Sequence, residues 1–372
     1  MSNMAMLDRR AFLKATGATA WLPCMVGCGR LLFRNCAPSY SVAILGDTHY
    51  DAEPESVYHS HYDESNKWAK IQHAEFKRNG EMWRTRCPQL LEASAKLAHR
   101  LDTRFVLQMG DIIQGDCDDV PTHKKMLSDC IKLLRRPYPD DLPFMTVIGN
   151  HDFRGKGARK AYLEFAEPFM TNEIGKEARY PVFSFRQGDD LWVFCDFETK
   201  NLDPISDAIE ADPSARHVFL VTHGPFTAPT RGSFRWRLGG HTEDTRPRLY
   251  ETLSRRHAIV LSGHTHTTNF YRHENKYGGF TEFTANSVWA KPEYATAEPI
   301  HSKPSDYVPI ASQPKDKLEK HQQALDFFKP GLREYFYGNG AGHYRLNVSD
   351  KAVTMDFYPG AALEPARTFT LS

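Results

Sequence analysis

The sequence lacks internal repeats and low-complexity tracts, and it also lacks a charge excess of either sign. Its 372 residues carry a formal net charge of +1, with 41% hydrophobic and 25% charged residues. A chain with no strong overall field is not expected to attract extended nucleic acid or an anionic membrane surface over long range. Any affinity for phosphate must therefore come from a local group of side chains.

Cysteine is scarce and has no recognisable spacing. The seven cysteines include no C-x-x-C pair, which argues against a zinc ribbon or a thiol redox motif. If the protein is exported, a disulfide joining two of Cys87, Cys117 and Cys130 is permitted, but their spacing does not select a pair. Cys195 lies in an apolar run and is interpreted as a small buried residue.

Apolar runs of membrane-spanning length are also missing. A short run at residues 15–29 follows Arg9 and Arg10, and it falls below the roughly 20 residues that span a bilayer. Together the pair and the run resemble a bacterial twin-arginine export signal. This resemblance implies a signal and linker at residues 1–36, passage through the twin-arginine translocation machinery, and a periplasmic or cell-envelope location. The residues before Cys28 loosely resemble a lipobox, so lipid attachment at Cys28, and with it membrane association, stays open.

The sequence does contain several apolar strands that each end in side chains of metal-ligand type. The endings are Asp47-Thr48-His49, Gly110-Asp111, Gly149-Asn150-His151-Asp152, His223 and His264-Thr265-His266. Strand ends are where α/β proteins place their chemistry, although a single ending of this kind is also compatible with a polar turn. Recurrence of the same arrangement favours one shared site.

In this order the endings resemble the signature of the calcineurin-like metallophosphoesterases, D-x-H, G-D, G-N-H-D, H and G-H-x-H. The resemblance covers about residues 42–266 and fills every ligand position. It implies an α/β fold, namely a four-layer α/β/β/α sandwich of two mixed β-sheets flanked by helices. It also implies a hydrolase that cleaves a phosphomonoester or a phosphodiester.

The resemblance further implies two divalent metal ions and assigns their ligands. One ion takes Asp47, His49 and His266, the other takes Asn150, His223 and His264, and Asp111 bridges the two. Imidazole, carboxylate and amide oxygen suit Mn, Zn or Fe(II). Alternation along an extended strand end is expected to turn Asp47 and His49 to one side, and His264 and His266 likewise.

His151 and Arg154 are the candidates for contacts with the phosphate ester. The resemblance implies that a metal-bridging hydroxide attacks phosphorus while His151 acts as general acid, a role that suits an imidazole. A histidine that only orients the phosphate is the alternative. Arg154 is the first candidate for a phosphate contact, since guanidinium binds phosphate in a bidentate manner. A second basic group contains Arg231, Arg235 and Arg237.

The residues after Asp111 depart from the better-known branches of the family. Protein Ser/Thr phosphatases carry Asp at the position of Gln114 and Glu at that of Asp152, so a protein phosphatase is disfavoured. Purple acid phosphatases place a metal-bound Tyr at the position of Gln114, so the tyrosinate colour is expected to be absent. The partner that orients His151 stays open between Gln114 and Asp116.

Residues 50–85 are predicted to be an insert that forms the rim of the site and sets substrate choice. Tyr58 and Tyr62 are candidates to contact the leaving group of a small or lipid-like phosphate ester, whereas Trp83 is interpreted as a core residue. His59 and His61 are interpreted as solvated loop histidines and not as metal ligands.

The remaining pattern predicts one domain over residues 40–372. Helical spacing predicts helices at residues 90–98, 122–134, 158–167 and 315–328, the third ended by Pro168. Hairpins are predicted around residues 187–190, 277–279 and 349–351. The segment from about residue 267 to 372 is expected to be a β-hairpin extension that completes the second sheet.

Two other functions stay open at this point. An extracellular nuclease or nucleotide phosphodiesterase is the enzymatic rival, which the near-neutral charge disfavours. A non-catalytic, metal-dependent binding protein on the same scaffold is expected to have lost His151 or Asp111, and both are present.

Overall fold

Two β-sheets form the centre of the computed structural model, which describes residues 39–52, 57–59, 67–227, 244–288, 295–308 and 315–372. The first sheet has six strands in the order β13-β12-β11-β1-β2-β3. They are β1 (Tyr40–Leu45), β2 (Thr103–Gln108), β3 (Phe144–Thr146), β11 (Gly342–Val348), β12 (Val353–Pro359) and β13 (Arg367–Thr370). Strands β1 to β3 are parallel, and β11 joins β1 in antiparallel register.

The second sheet has seven strands in the order β10-β8-β9-β7-β6-β5-β4. They are β4 (Val182–Gln187), β5 (Asp190–Cys195), β6 (Val218–Thr222), β7 (Ile259–Ser262), β8 (Thr268–Asn275), β9 (Gly278–Thr284) and β10 (Leu332–Gly338). Strands β5, β6, β7 and β9 are parallel, and the others pair antiparallel. Parallel strands read as continuous apolar runs because both of their faces are covered.

Helices cover the outer face of each sheet. Helices α1 (Lys67–Thr85), α2 (Cys87–Arg100), α3 (Val120–Arg135) and α4 (Ala158–Ile174) pack on the first sheet. Helices α5 (Asp203–Glu210), α6 (Arg246–Arg255) and α7 (Lys315–Phe328) pack on the second. Between the sheets lies an apolar layer that includes Val42, Phe105, Trp192, Phe219 and Ile259. The predicted four-layer α/β/β/α class is confirmed.

The helices predicted at residues 90–98, 122–134 and 315–328 agree with the structure, and the one predicted at residues 158–167 is longer than expected. Helix α4 continues through Pro168 to Ile174. A proline in a helix interior removes one hydrogen bond and costs roughly 3 kcal/mol or more. Burial of Ala166, Met170 and Ile174 offsets that cost, because these residues lie on the face that packs against the sheets. Pro168 therefore does not end the helix.

The predicted hairpins form, but they do not share one sheet. Strands β8 and β9 belong to the second sheet, whereas β11 and β12 belong to the first, next to β1. The expectation that the C-terminal residues complete the second sheet was therefore correct for β8 and β9 and wrong for β11 and β12. Two strands, β10 and β13, were not predicted. Alternating hydrophobicity marks a strand but carries no information on its partner.

Several sequence predictions concern single side chains. Cys87, Cys117, Cys130 and Cys195 are all buried and form no disulfide, so the permitted bridge among the first three is not present, and Cys195 is the small buried residue expected. Among the described residues no helix has an apolar stretch long enough to cross a bilayer. Outside the described residues lie residues 1–36 with Arg9, Arg10 and Cys28, and also His61, Tyr62, Arg231, Arg235 and Arg237.

Candidate metal centre

The predicted ligands lie just past the ends of parallel strands from both sheets. Those that follow the first sheet are Asp47 and His49 after β1, Asp111 after β2 and Asn150 after β3. Those that follow the second sheet are His223 after β6 and His264 and His266 after β7. Both sheets therefore contribute to one site at the same end of the sandwich.

Asp47, His49 and His266 form what we call the first cluster. Their ligand atoms all lie within 4.8 Å of one another. His266 Nε2 is 3.1 Å from Asp47 Oδ2 and 2.9 Å from His49 Nε2. Two imidazole nitrogens and a carboxylate oxygen at this spacing are a donor set suited to a borderline divalent cation.

Asp111, His223 and His264 form the second cluster, again within 4.8 Å. His223 Nε2 lies 3.2 Å from Asp111 Oδ2 and 3.2 Å from His264 Nδ1. Asp111 Oδ2 is also 3.6 Å from His49 Nε2 of the first cluster. One carboxylate therefore stands between the two clusters, in the place that the sequence assigned to a bridging ligand.

The amide oxygen of Asn150 is an orphan in this site. Asn150 Oδ1 is buried and accepts no hydrogen bond, an arrangement that costs about 1–3 kcal/mol. The next residue, His151, donates its main-chain amide to Asp111 Oδ1 at 2.7 Å. A buried amide oxygen with no protein donor, next to a residue that binds Asp111, is available to a cation.

The backbone at the ligands is strained. His49, Asp111, His264 and His266 have φ values of 40°, 48°, 71° and 51°, in the left-handed region that costs an L-residue roughly 1–3 kcal/mol. The expectation that Asp47 with His49, and His264 with His266, lie on extended strand ends was therefore wrong. After β1, β2 and β7 the chain passes through residues in the left-handed region, and this conformation directs their side chains. Such strain is concentrated at functional sites in proteins.

Two glycines leave room for the carboxylates. A Cβ at Gly149 would lie 2.1 Å from Asp111 Oδ1, and a Cβ at Gly263 would lie 2.3 Å from Asp47 Oδ1. Both distances are far below van der Waals contact. The G-N-H-D and G-H-x-H glycines are thus required by the space that the buried carboxylates fill.

The charges of the site favour a cation. Burial alone would raise the pKa of Asp111, but the nearby imidazoles of His223 and His151 lower it well below the usual range. Burial lowers the pKa of His264 to about 3. Burial also acts to lower the pKa of His223, yet the carboxylates of Asp111 and Asp47 raise it to about 9. The site thus holds ionised carboxylates beside an imidazole whose proton a divalent cation would replace.

Asp152 holds two of the ligand loops together. Its Oδ1 accepts the main-chain amides of Ile112 and Ile113 at 2.9 and 3.3 Å, and its Oδ2 accepts that of Gly149 at 2.8 Å. Burial, together with the charge of Asp111, raises the pKa of Asp152 to about 8. The last residue of the G-N-H-D motif is therefore a structural clamp, a role that the sequence did not reveal.

Of the two residues expected to orient His151, Gln114 does so, through its main chain and not its side chain. Its Nδ1 lies 2.9 Å from the main-chain carbonyl of Gln114, which can only accept, so Nδ1 carries the hydrogen. Arg154 Nη1 lies 2.9 Å from the same ring, and Arg154 Nη2 is 2.5 Å from Asp116 Oδ2. The Gln114 main chain thus orients His151, and Asp116 acts only through Arg154.

Tyr58 is not a wall of the site. It is 1% exposed, donates a hydrogen bond to Asp129 Oδ2 at 2.7 Å and packs against Tyr50. The expectation that Tyr58 contacts a leaving group was therefore wrong, since its ring belongs to the core beneath α1 and α3. Trp83 is buried as expected and donates to the carbonyl of Thr48 at 2.9 Å.

Two further side chains differ from the sequence interpretation. His59 is not solvated, because it stacks on Phe76 at 3.8 Å and its Nε2 lies 3.3 Å from Asp51 Oδ2.

Phe197 lies beside the second cluster and was not predicted from the sequence. Its ring centroid lies 5.5 Å from that of His223 and 5.2 Å from that of His264. The signal was available in principle, since Phe197 follows a strand that runs parallel to β6, with Cys195 opposite Thr222.

Imidazoles, carboxylates and an amide oxygen at the strand ends of a two-sheet sandwich define a metal-dependent hydrolase site. The family model described as calcineurin-like phosphoesterase matches residues 40–268, which is more than half of the chain. The chain belongs to this family, and it is a hydrolase that acts on phosphoester bonds. A comparison with curated protein sequences finds no match.

Solved structures share the fold at low identity. A purple acid phosphatase, PPD1 from yellow lupin seeds, superposes with a TM-score of 0.53 at 13% identity, over 90% of this chain and 54% of that one. A structure of PhoD gives 0.52 at 11% identity, over 91% and 69%. GAP50, the anchor in the inner membrane complex of Plasmodium, gives 0.51 at 14% identity, over 90% and 89%. These similarities concern the fold alone.

Proposed function

We propose that the protein is an exported binuclear metallophosphoesterase that hydrolyses a phosphomonoester or phosphodiester of a small or lipid-like molecule. The observation that carries the proposal is the position of Asp111. Its Oδ2 lies 3.6 Å from His49 Nε2 of the first cluster and 3.2 Å from His223 Nε2 of the second. A carboxylate between two such clusters suits a pair of cations that share one ligand.

The residues present fit the two ions. The first ion would be held by Asp47, His49 and His266, the second by Asn150, His223 and His264, and both by Asp111. The orphan oxygen of Asn150 and the absence of thiolate from the set support Mn, Zn or Fe(II). When bound, such ions supply positive charge to the phosphate oxygens and make water acidic enough to serve as nucleophile near neutral pH.

His151 is proposed to protonate the leaving oxygen. Its ring lies edge-on to His49 at a centroid distance of 4.4 Å, and its Nδ1 is held by the Gln114 carbonyl, which leaves Nε2 for the transferred proton. Arg154 Nη1 lies 2.9 Å from Nε2 and can only donate, so Arg154 has to turn from His151 to the phosphate before Nε2 is protonated. Burial lowers the pKa of His151 well below its usual value, which works against this role in the free protein. A bound phosphate group would favour the charged imidazole, because an opposite charge nearby raises a histidine pKa.

Arg154 is proposed to contact the phosphate beside His151. Its side chain is 24% exposed and is already paired with Asp116, so its guanidinium is held next to the His151 ring while part of it faces solvent. A guanidinium held in this way can donate two parallel hydrogen bonds to the oxygens of a phosphate group.

Export is supported by the sequence of residues 1–36, with the Arg9-Arg10 pair and the short apolar run that follows. Replacement of both arginines by lysine is expected to leave the precursor inside the cell. Normal export of that variant would contradict the twin-arginine route. A mass measurement on the mature N-terminus decides whether Cys28 carries lipid.

The activity is tested with metal-stripped protein reloaded with Mn, Zn or Fe(II). The substrates are p-nitrophenyl phosphate, bis-p-nitrophenyl phosphate, an alkyl phosphate and single-stranded DNA. We expect hydrolysis of at least one small ester that depends on added metal and is absent in Asp111→Asn. Metal binding without turnover of any substrate would instead indicate a binding protein, and preference for DNA would indicate a nuclease.

A further inference from the structure

Gln114 connects helix α1 to a predicted ligand of the first cluster. Its Oε1 lies 3.1 Å from His49 Nδ1 and 2.7 Å from Asn79 Nδ2, and its Nε2 lies 3.1 Å from Glu75 Oε2. Glu75 and Asn79 stand four residues apart on α1, so they face the same side of the helix. Gln114 is 1% exposed, which makes these contacts difficult to replace by water.

The chemistry of the three groups determines which way the Gln114 amide points. A carboxylate only accepts hydrogen bonds, so the amide end that faces Glu75 must be the NH₂ group. This orientation directs Oε1 to Asn79 and His49, and Asn79 Nδ2 donates to it at 2.7 Å. With the amide reversed, its oxygen would face the Glu75 carboxylate and its NH₂ would face the Asn79 NH₂.

The orientation of the amide in turn determines the tautomer of His49. An amide oxygen only accepts, so His49 Nδ1 carries the hydrogen and donates to Gln114 Oε1 over 3.1 Å. The lone pair is then on Nε2, the atom that lies 3.8 Å from Asp47 Oδ2 and 3.6 Å from Asp111 Oδ2. This is the nitrogen that the first cluster requires as a metal ligand.

We propose that Glu75, Asn79 and Gln114 form a positioning relay that holds His49 in the metal-binding tautomer and so sets the affinity of the first cluster for its ion. The proposal rests on the proposed function, in which His49 is a ligand. It gives the inserted helix α1 a role different from a substrate wall, because α1 acts on the metal centre through Gln114. Partners of this kind typically change metal affinity by about 10–100-fold.

The test measures the tautomer and the metal affinity separately. In metal-free protein, ¹⁵N–¹H correlation spectra of the histidine rings report which His49 nitrogen is protonated. Calorimetric titration of the metal-stripped protein with Mn²⁺ reports the affinity of each binding event. The variants are Gln114→Met, which removes the acceptor at similar length, and Glu75→Gln, which removes the group that orients the amide. Glu81→Gln, at an exposed position of the same helix, is the matched control.

We expect Gln114→Met to populate both His49 tautomers and to weaken one Mn²⁺ event by about 10–100-fold, with the other event unchanged. Glu75→Gln is expected to cause a smaller change in the same direction, and Glu81→Gln none. The double variant Gln114→Glu with Glu75→Gln keeps a donor facing an acceptor at every contact, so it is expected to keep His49 protonated at Nδ1 and to bind Mn²⁺ no more weakly than the wild type.

The possible failures are distinguishable. If the wild-type protein binds no Mn²⁺, the proposed function fails, whereas the tautomer measurement still reports on the relay. If the wild type binds two ions and Gln114→Met binds them equally well, or loses both events equally, the relay is contradicted. A thermal unfolding curve for each variant identifies any variant that does not fold. If Gln114→Met does not fold, the double variant Gln114→Glu with Glu75→Gln tests the relay in its place.

Discussion

The two clusters of the metal centre differ in what holds their histidines. In the second cluster, His223 is fully buried and its Nδ1 lies 2.7 Å from the main-chain carbonyl of Met109. In the first cluster, His49 Nδ1 faces the side chain of Gln114 at 3.1 Å, and the His266 side chain is 34% exposed. His223 is therefore supported by backbone that the strands position, and His49 by the side chain of Gln114, which Glu75 and Asn79 of helix α1 hold in turn.

This difference separates what the fold provides from what the particular sequence provides. A main-chain carbonyl is present whatever residue occupies the position, so the support of His223 follows from the ends of β2 and β6. The support of His49 depends on Glu75, Asn79 and Gln114, and each of these can be changed without altering a strand. We therefore expect the first cluster to be the half whose metal affinity is tuned by substitution.

Asp111 belongs to both halves, so its replacement has the largest expected effect. Asp111→Asn removes the charge shared by the clusters while it keeps the shape of the side chain, and both metal occupancy and turnover are expected to fall to background. Metal content by mass spectrometry and hydrolysis of p-nitrophenyl phosphate measure the two quantities. Full metal content with full activity in this variant would show that the two halves do not share a ligand.

His151 lies beside the first cluster but is not assigned to either ion, so its replacement separates metal binding from chemistry. His151→Asn is expected to retain the metal content and to lower kcat by about 10²–10⁴-fold. The loss is expected to be smaller for p-nitrophenyl phosphate than for an alkyl phosphate, because p-nitrophenolate leaves without a proton. An equal loss for both substrates would leave His151 with an orienting role only.

Glu282, on β9, holds the residues that follow His223 and makes the surroundings of the second cluster sensitive to pH. Its carboxylate accepts the amides of Phe226 and Thr227 at 2.6 and 2.8 Å, yet burial raises its pKa from 4.5 to about 7. Because the folded state favours the protonated form, the stability that this group contributes is present below pH 4.5 and is lost as the pH rises through 7.

Glu282→Gln is expected to remove this contribution, which is about 3 kcal/mol across that pH range. The measurement is the difference in unfolding free energy between the wild type and the variant at several pH values from 4.5 to 7.5. Histidines titrate in both proteins, so their contribution to the free energy of unfolding cancels in this difference. A difference that does not change with pH would contradict the raised pKa.

Phe197 gives the second cluster an aromatic neighbour, and its replacement is expected to have the smallest effect. Phe197→Ala is expected to change kcat/KM by roughly 2–10-fold for aryl esters, which is the size of one aromatic contact, and less for alkyl esters. Tyr58→Phe is the control, because Tyr58 is a core residue. Equal changes for aryl and alkyl esters in Phe197→Ala would contradict a contact between Phe197 and the leaving group. The insert at residues 50–85, with Tyr62, would then be the candidate that sets substrate choice.

The parts of the site that were predictable from the sequence are those encoded within one strand and its end. The apolar runs, the ligand residue types that follow them and the order of the motifs placed Asp47, His49, Asp111, His223 and the later ligands at one end of the sandwich. Space explains the glycines of these motifs, since a Cβ at Gly263 would lie 2.3 Å from Asp47 Oδ1.

The rest depends on contacts between residues far apart in the chain. Gln114 and Glu75 are 39 positions apart, and no local pattern indicates that they meet. Pro168 was misread because helix propensity gives way to packing. The same holds for Tyr58, whose aromatic and polar character fits either a rim or a core, and its contact with Asp129 decides between them.

The most direct test of the shared metal centre is anomalous diffraction from crystals of the protein soaked in Mn²⁺. We expect two peaks that share Asp111, one contacted also by Asp47, His49 and His266, and the other by Asn150, His223 and His264. A single peak, or two peaks that leave Asp111 or Asn150 without a metal contact, would contradict it.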